Sequence, residues 1–262
     1  DEALCEQGRN FGNKIWNAYR LINGWTVDET LTQSDNNALA VEWFRNAFAK
    51  ALAEIEDNFS SYRISEAFMR IYKLFWDDFS GWYLEMVKPA YGSPADATRH
   101  YFDMLMRLIH PFMPFVTEEI WQDLTPRAKG ESIMYAPAPA VEQWDEALLA
   151  RFELVKEAIT DIRNVRKQKN IAQKQPLTLK VIADENYPVA YAPVIVKMGN
   201  ISAIETVTEK DPAAAAFIVK TTQYFVPLGD NIDREAETKR LTADLEYLEG
   251  FLASVMKKLS SL

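Results

Sequence analysis

Apolar residues recur along most of this chain at intervals of three and four, the spacing of a helix with one buried stripe, and then change to alternation, the spacing of a strand. Phe11, Ile15, Ala18 and Ile22 step by 4, 3 and 4 and predict a first helix from residue 1 to about 23. A polar loop around Asp28 to Asn37 separates it from a second helix, about Ala38 to Phe59, striped by Val41, Phe44, Phe48, Ala51, Ile55 and Phe59. After Asn58 to Tyr62, a third and longer helix carries Ile64, Phe68, Ile71, Phe75, Phe79, Trp82 and Met86 until Lys88-Pro89 stops it. A fourth starts at Ser93 to Ala97 and brings Phe102, Leu105, Met106 and Ile109 to a corner at His110-Pro111-Phe112-Met113-Pro114. Pro111 cannot continue that helix, whereas Pro114 suits the first turn of a fifth ending near Leu124, with Glu118 and Glu119 near its positive end. The expected result is a helical corner with an aromatic filling.

Residues 125 to 140, rich in proline and small side chains, read as a linker over the bundle. A sixth helix, about Asp145 to Lys169, has Leu148, Phe152, Val155, Ile159 and Ile162 as its core stripe. The period then falls to two: Leu177, Leu179, Val181 and Ala183 alternate with Thr178, Lys180 and Ile182 as a strand. A short helix at Ala190 to Met198 and two or three further strands within Ile201 to Thr208 and Phe217 to Val226 complete a small unit. Finally Leu241, Leu245, Leu248, Leu252, Val255 and Leu259 step by 4, 3, 4, 3, 4, the seam of a coiled coil. The expected fold class is mainly α, with a helical bundle over 1–170, a small α/β unit over 171–230 and a C-terminal coiled-coil helix over 231–262.

A hydrophobic fraction of 48% argues against disorder, and no apolar run reaches the ~20 residues that span a bilayer, so no membrane partner is expected. No signal-peptide pattern opens the chain, and Cys5 is the only cysteine, which fits a reducing cytoplasm. One thiol and two histidines, His100 and His110, leave no zinc cluster, and no metal site is expected. Asp77 and Asp78 are adjacent and point ~100° apart, so they do not flank one substrate atom as an acid/base pair. There is no glycine-rich phosphate loop, so no catalytic residue is assigned. The chain begins at Asp1 without a methionine, as a piece of a longer protein would.

A formal charge of −9 disfavours nonspecific coating of nucleic acid, but the balance is local. From Arg163 to Ala183 six residues are basic (Arg163, Arg166, Lys167, Lys169, Lys174, Lys180) and none is acidic. On the first helix Asn10, Asn13, Lys14, Asn17 and Arg20 share a face, although asparagine is a poor helix-interior residue. Such a face either packs against another helix through polar contacts or offers donors to base edges and phosphates.

The run Leu108-Ile109-His110-Pro111-Phe112-Met113-Pro114-Phe115-Val116-Thr117-Glu118-Glu119-Ile120-Trp121 resembles a segment of the helical anticodon-binding domains of class I aminoacyl-tRNA synthetases, in the valine, isoleucine and leucine branch. Gly8-Arg9-Asn10-Phe11-Gly12-Asn13-Lys14-Ile15-Trp16-Asn17-Ala18 resembles the signature that opens this domain in the valyl-tRNA synthetases. Trp76, Asp77, Trp82, Tyr83, Glu85, Lys88 and Pro89 resemble a further pattern of that family, and so does Ile162-Arg163-Asn164-Val165-Arg166 followed by Gln175-Pro176-Leu177. The signatures Lys-Met-Ser-Lys-Ser and His-Ile-Gly-His of the catalytic body are absent from this chain.

The resemblance implies a C-terminal fragment whose longer parent attaches valine to its tRNA with ATP, while the fragment itself is inactive alone and holds no cofactor. Its implied partners are tRNA and the rest of the synthetase. The resemblance also implies an antiparallel two-helix arm, of which this sequence has only the first helix, so a frayed end or a dimer through the exposed leucines is expected. For tRNA binding the candidates are Asn10, Asn13, Lys14, Asn17 and Arg20, with Arg163, Arg166 and Lys167 as phosphate contacts. The alternatives are the same domain of an isoleucyl or leucyl enzyme, or a non-catalytic helical scaffold that binds proteins. The scaffold is favoured if the Asn10 to Arg20 face is buried.

Overall fold

The computed structural model describes residues 2–25, 34–88, 93–228, and of the last segment 242–243, 245–252 and 255–256. Helix α1 (Glu2–Asn23) buries Phe11, Ile15, Ala18, Tyr19 and Ile22. Helix α2 (Asp35–Ser60) starts three residues before the expected Ala38, because Ser34 is its N-cap and accepts a hydrogen bond from the Asn37 N–H. Of the polar loop ahead of it, residues 28–33 lie outside the described residues.

The expected third helix is one helical run in three parts: α3 (Ile64–Lys73), a π-helical stretch (Leu74–Tyr83) and α4 (Leu84–Val87). The wider π turn changes which side chains face inward. Leu74, Phe75, Phe79, Tyr83 and Leu84 are buried there, while Trp82, expected in the stripe, is only half-buried. Lys88 is extended, as suits the residue before a proline, and Pro89 lies outside the described residues. Helix α5 (Ser93–Ile109) then leads to the corner and α6 (Pro114–Leu124).

Phe44 is at the centre of the bundle, 4.8 Å from Tyr83, 5.4 Å from Phe79 and 5.1 Å from Tyr101 between ring centroids. These contacts join α2, the π stretch and α5 around one aromatic cluster. The corner itself is less filled than expected. Phe112 is half-buried, stacked on Phe59 and packed on Phe68, whereas Phe115 is 90% exposed. Thr117 donates to the Met113 carbonyl at 2.8 Å and lies 2.8 Å from His110 Nδ1, closing the turn. Glu118 accepts from Gln122 (2.7 Å), the Ser132 hydroxyl (2.7 Å) and the Ile133 N–H (3.1 Å), which pins the linker against α6. Burial pushes the Glu118 carboxyl up, but those bonds outweigh it and leave the group below the usual glutamate range.

Helix α7 (Glu146–Gln168) is capped by Asp145, which accepts from the Ala147 and Leu148 N–H groups. The Asp145 N–H in turn donates to Asn46 of α2 at 2.7 Å, and Phe152 of α7 stacks on Trp43 of α2 at 4.5 Å. Asn170, with φ 54, turns the chain out of α7 into the α/β unit. There β1 (Leu177–Ile182), β2 (Ile201–Thr206), β3 (Ala214–Val219) and β4 (Thr222–Pro227) form a four-stranded sheet in the order β2-β1-β4-β3, and α8 (Ala192–Gly199) connects β1 to β2. The β1-α8-β2 crossover makes the one parallel pair, and β3 and β4 form a hairpin. Leu177, Leu179 and Val181 of β1, Val194 and Ile195 of α8 and Tyr224 of β4 are buried in the same apolar cluster as the bundle.

Arg166, expected as a phosphate contact, is instead fully buried. Its guanidinium donates to the Ala172 (3.0 Å) and Gln175 (2.7 Å) carbonyls after α7, and to Gly199 (2.9 Å) and Asn200 (3.0 Å) at the end of α8. The cation therefore meets the negative end of the α8 dipole and the turn leaving α7 together. Burial lowers its pKa, but a guanidinium stays charged at any pH where the fold persists. Its Nη donors are used within the fold and cannot also reach RNA.

Two outcomes follow from these anchors. Arg166→Met should lower stability in urea unfolding by about 3–5 kcal/mol, because buried carbonyls lose their donor; a loss below ~1 kcal/mol would mean that the clamp is dispensable. Glu118 has a depressed folded-state pKa, so its stabilisation is complete above the ordinary glutamate pKa and disappears as pH falls through the depressed value. Glu118→Gln should accordingly flatten the acid limb of a stability-against-pH curve, and an unchanged limb would remove Glu118 from it.

Candidate nucleic-acid interface

The exposed face of α1 follows from the way its other face is buried. With Phe11, Ile15, Ala18 and Ile22 turned into the bundle, Asn10, Asn13, Asn17 and Arg20 emerge on the solvent side, and all four are exposed. Among the described residues none of these four side chains makes a hydrogen bond or ion pair. Interhelical polar packing is therefore not their role, and the observation that would have favoured the protein scaffold is not made. Lys14, at the edge of this face, is half-buried and places its ammonium 5.2 Å from the centroid of Trp76 in the π stretch. Between them, Lys14, Asn17, Leu21, Ser80, Leu84 and Glu85 line a cleft of about 130 Å³.

The second set of candidates lies on α7 and meets a different tryptophan. Arg163 is exposed, with its guanidinium 5.6 Å from the Trp82 centroid, and Lys167 is exposed one turn on. Lys156 also lies over Trp82, at 5.9 Å, and pairs with Glu153 at 2.8 Å and Asp78 at 3.9 Å. Burial raises the Asp78 carboxyl, while Lys156 and Arg70 pull it back down. Asp78 thus belongs to an ion-pair network and offers no hydrolytic dyad with the exposed Asp77. The π stretch consequently separates two cationic edges, Lys14 on Trp76 and Arg163 on Trp82, with Asp77 exposed on it and Glu85 exposed on α4. The structure brings Asn10, Asn13, Lys14, Asn17 and Arg20 together on α1, and it sets Arg163 and Lys167 apart on α7 and takes Arg166 out of the surface.

The sequence reading missed two exposed residues on the α1 face, Arg9 and Trp16. Arg9 pairs with Glu6 at 3.0 Å. Trp16 is 40% exposed although tryptophan usually counts toward a core. The available signal was angular, since Trp16 lies ~100° from the buried Ile15 and falls outside the 11, 15, 18, 22 stripe. For Arg166 the signal was also present: the α7 stripe 148, 152, 155, 159, 162 steps by 4, 3, 4, 3, and the next step of four lands on it. Among the described residues no group of acidic, histidine or cysteine side chains could hold a metal ion, and no helix is long and apolar enough to cross a membrane.

The chain is similar over its whole length to the valine–tRNA ligases of Parabacteroides distasonis (54% identical), Phocaeicola vulgatus (52%) and Bacteroides thetaiotaomicron (52%), and it spans 30% of the length of each of these curated relatives. Residues 41–183 match the family described as the anticodon-binding domain of tRNA ligase. That match runs from α2 through the aromatic cluster and α7 into the first strand, and the chain belongs to the family of tRNA ligase anticodon-binding domains.

Proposed function

We propose that this chain recognises the anticodon loop of valine tRNA within a longer valine–tRNA ligase, and that the solvent face of α1 is its principal contact. The exposure of Asn10, Asn13, Asn17 and Arg20 opposite a wholly buried stripe carries the reading. Exposed amides that make no bond to the described protein suit base edges, which present both donors and acceptors in an unpaired loop. Lys14 and Arg20 add charge for phosphates, as do Arg163 and Lys167 beyond the π stretch. The attachment of valine with ATP is assigned to the rest of the longer protein, and a cytoplasmic location fits the single cysteine. The similarity to valine–tRNA ligases favours valine over isoleucine or leucine as the amino acid of that parent.

The last segment supports a further contact. Its described residues 242–243, 245–252 and 255–256 are helical, and Leu245, Leu248 and Leu252 are all exposed. Leu241 and Leu259 of the expected seam lie outside the described residues. We assign this stripe to pairing with another helix, in a second copy when the chain is isolated. Sedimentation should then show a dimer that Leu248→Asp dissociates, and a monomer at all concentrations would reject the pairing.

The RNA reading is tested by binding of this chain to valine tRNA, an anticodon-substituted valine tRNA and an unrelated tRNA over a salt series. Preference for the valine anticodon is expected, and equal binding to all three would reject recognition by this domain. Lys14→Ala should weaken binding and reduce the slope of log affinity against log salt by about one phosphate's worth. An unchanged affinity and slope would remove Lys14 from the contact.

A further inference from the structure

Within the α1 face, Trp16 is placed unlike the other exposed aromatics. Arg9, Asn13 and Arg20 stand at i−7, i−3 and i+4 from it, so they lie beside its ring along the same side of the helix. From Arg9 to Arg20 the chain carries three cations and no carboxylate, in a protein whose formal charge is −9. Arg9 is held by Glu6, while Arg20 makes no ion pair among the described residues. The indole is also supported from beneath. Tyr19, buried, packs against it at 5.5 Å between centroids and is itself fixed by its hydroxyl, which donates to Asp123 of α6 and accepts from Asn23 at 3.1 Å.

By contrast, Phe115 has Glu118 and Glu119 at i+3 and i+4, which repel phosphate, and Tyr62 adjoins an arginine already paired with Asp57. Among the described residues the Trp16 site joins an exposed ring, unengaged donors and a stretch of helix without a carboxylate. This is the chemistry of single-stranded RNA recognition, in which an unstacked base lies on an aromatic face while neighbouring side chains hold its edge and phosphate.

We infer that Trp16 is a stacking platform for one unpaired base of the tRNA, with Asn13 on the base edge and Arg20 on the adjoining phosphate. The assignment rests on the RNA-binding reading of the α1 face and adds to it a particular residue and a stacked base. The ring is held in place before RNA arrives, because Tyr19 is locked between α1 and α6. Stacking has no charge of its own, so the contribution of Trp16 is independent of salt, unlike that of Lys14 or Arg20.

The test uses this chain with valine tRNA and a set of transcripts bearing a single abasic site at each anticodon-loop position in turn. Trp16→Ala should weaken binding of intact tRNA by roughly 5- to 150-fold, the range for one stacked base, with the salt slope unchanged. Against one abasic transcript the same substitution should have no effect, because the base it would have stacked is missing. Trp16→Phe should restore most of the affinity, and thermal melting of both variants should match the parent. Equal binding of Trp16→Ala and parent to intact tRNA would overturn the platform while leaving the wider RNA reading in place. A loss of the same size on every abasic transcript would also overturn it, showing that Trp16 acts on the fold of α1 and not on a base. Failure of the parent chain to bind any tRNA at low salt would overturn the RNA-binding reading and the platform with it. Loss of tRNA competition, with capture of a protein partner through the same face, would assign that face to protein contact instead.

Discussion

A single buried cation ties the two parts of this molecule together. Arg166 sits where α7 ends, and its guanidinium holds the carbonyls of the turn leaving α7 and those closing α8. Placing a charge in that position costs desolvation, which the four oriented carbonyls and the α8 dipole offset. Gly199 is closed against the same helix: a Cβ there would lie 3.3 Å from Ile162 Cδ1 and 3.1 Å from Ile201 Cγ1. The α/β unit is therefore set on α7 by directional bonds as well as by apolar packing. Any change in its orientation would be felt in the same helix that presents Arg163 and Lys167.

The helical run 64–87 has a comparable role on the other side of the bundle. Its π stretch turns Phe75, Phe79 and Tyr83 into the aromatic centre around Phe44 and leaves Trp76 and Trp82 at two edges. Each edge receives a cation, Lys14 from α1 and Arg163 from α7. The two candidate RNA-contacting helices are thus positioned by one intervening element.

Net charge is a poor guide to such a protein. Some of the acidic side chains are engaged in local pairs, as with Asp103 holding Arg107 and Arg127, or Asp78 holding Lys156 and Arg70. The face of α1 from Arg9 to Arg20 has no carboxylate of its own, so the charge of this stretch differs in sign from the total. An acidic surround also limits weak attachment to RNA at other places, which suits a domain that must select one loop among many polyanions.

Periodicity determined much of this architecture in advance. The stripes of α1, α2, α5 and α7, the proline corner and the change to strands after Asn170 depend on local spacing and backbone restriction, which one sequence records directly. The amide-rich face of α1 was legible in the same way, because burying Phe11, Ile15, Ala18 and Ile22 leaves Asn13, Asn17 and Arg20 no other direction. Tertiary structure decided what spacing does not encode. It widened the helix at Leu74–Tyr83, exposed Phe115 and supplied the four carbonyls that hold Arg166. Arg166 and Lys167 are neighbours of like charge, yet one binds four carbonyls and the other meets solvent. The α7 stripe places Arg166 on the inner side of the helix, but the carbonyls that hold it come from residues 172 to 200, and the local pattern around Arg166 does not name those partners.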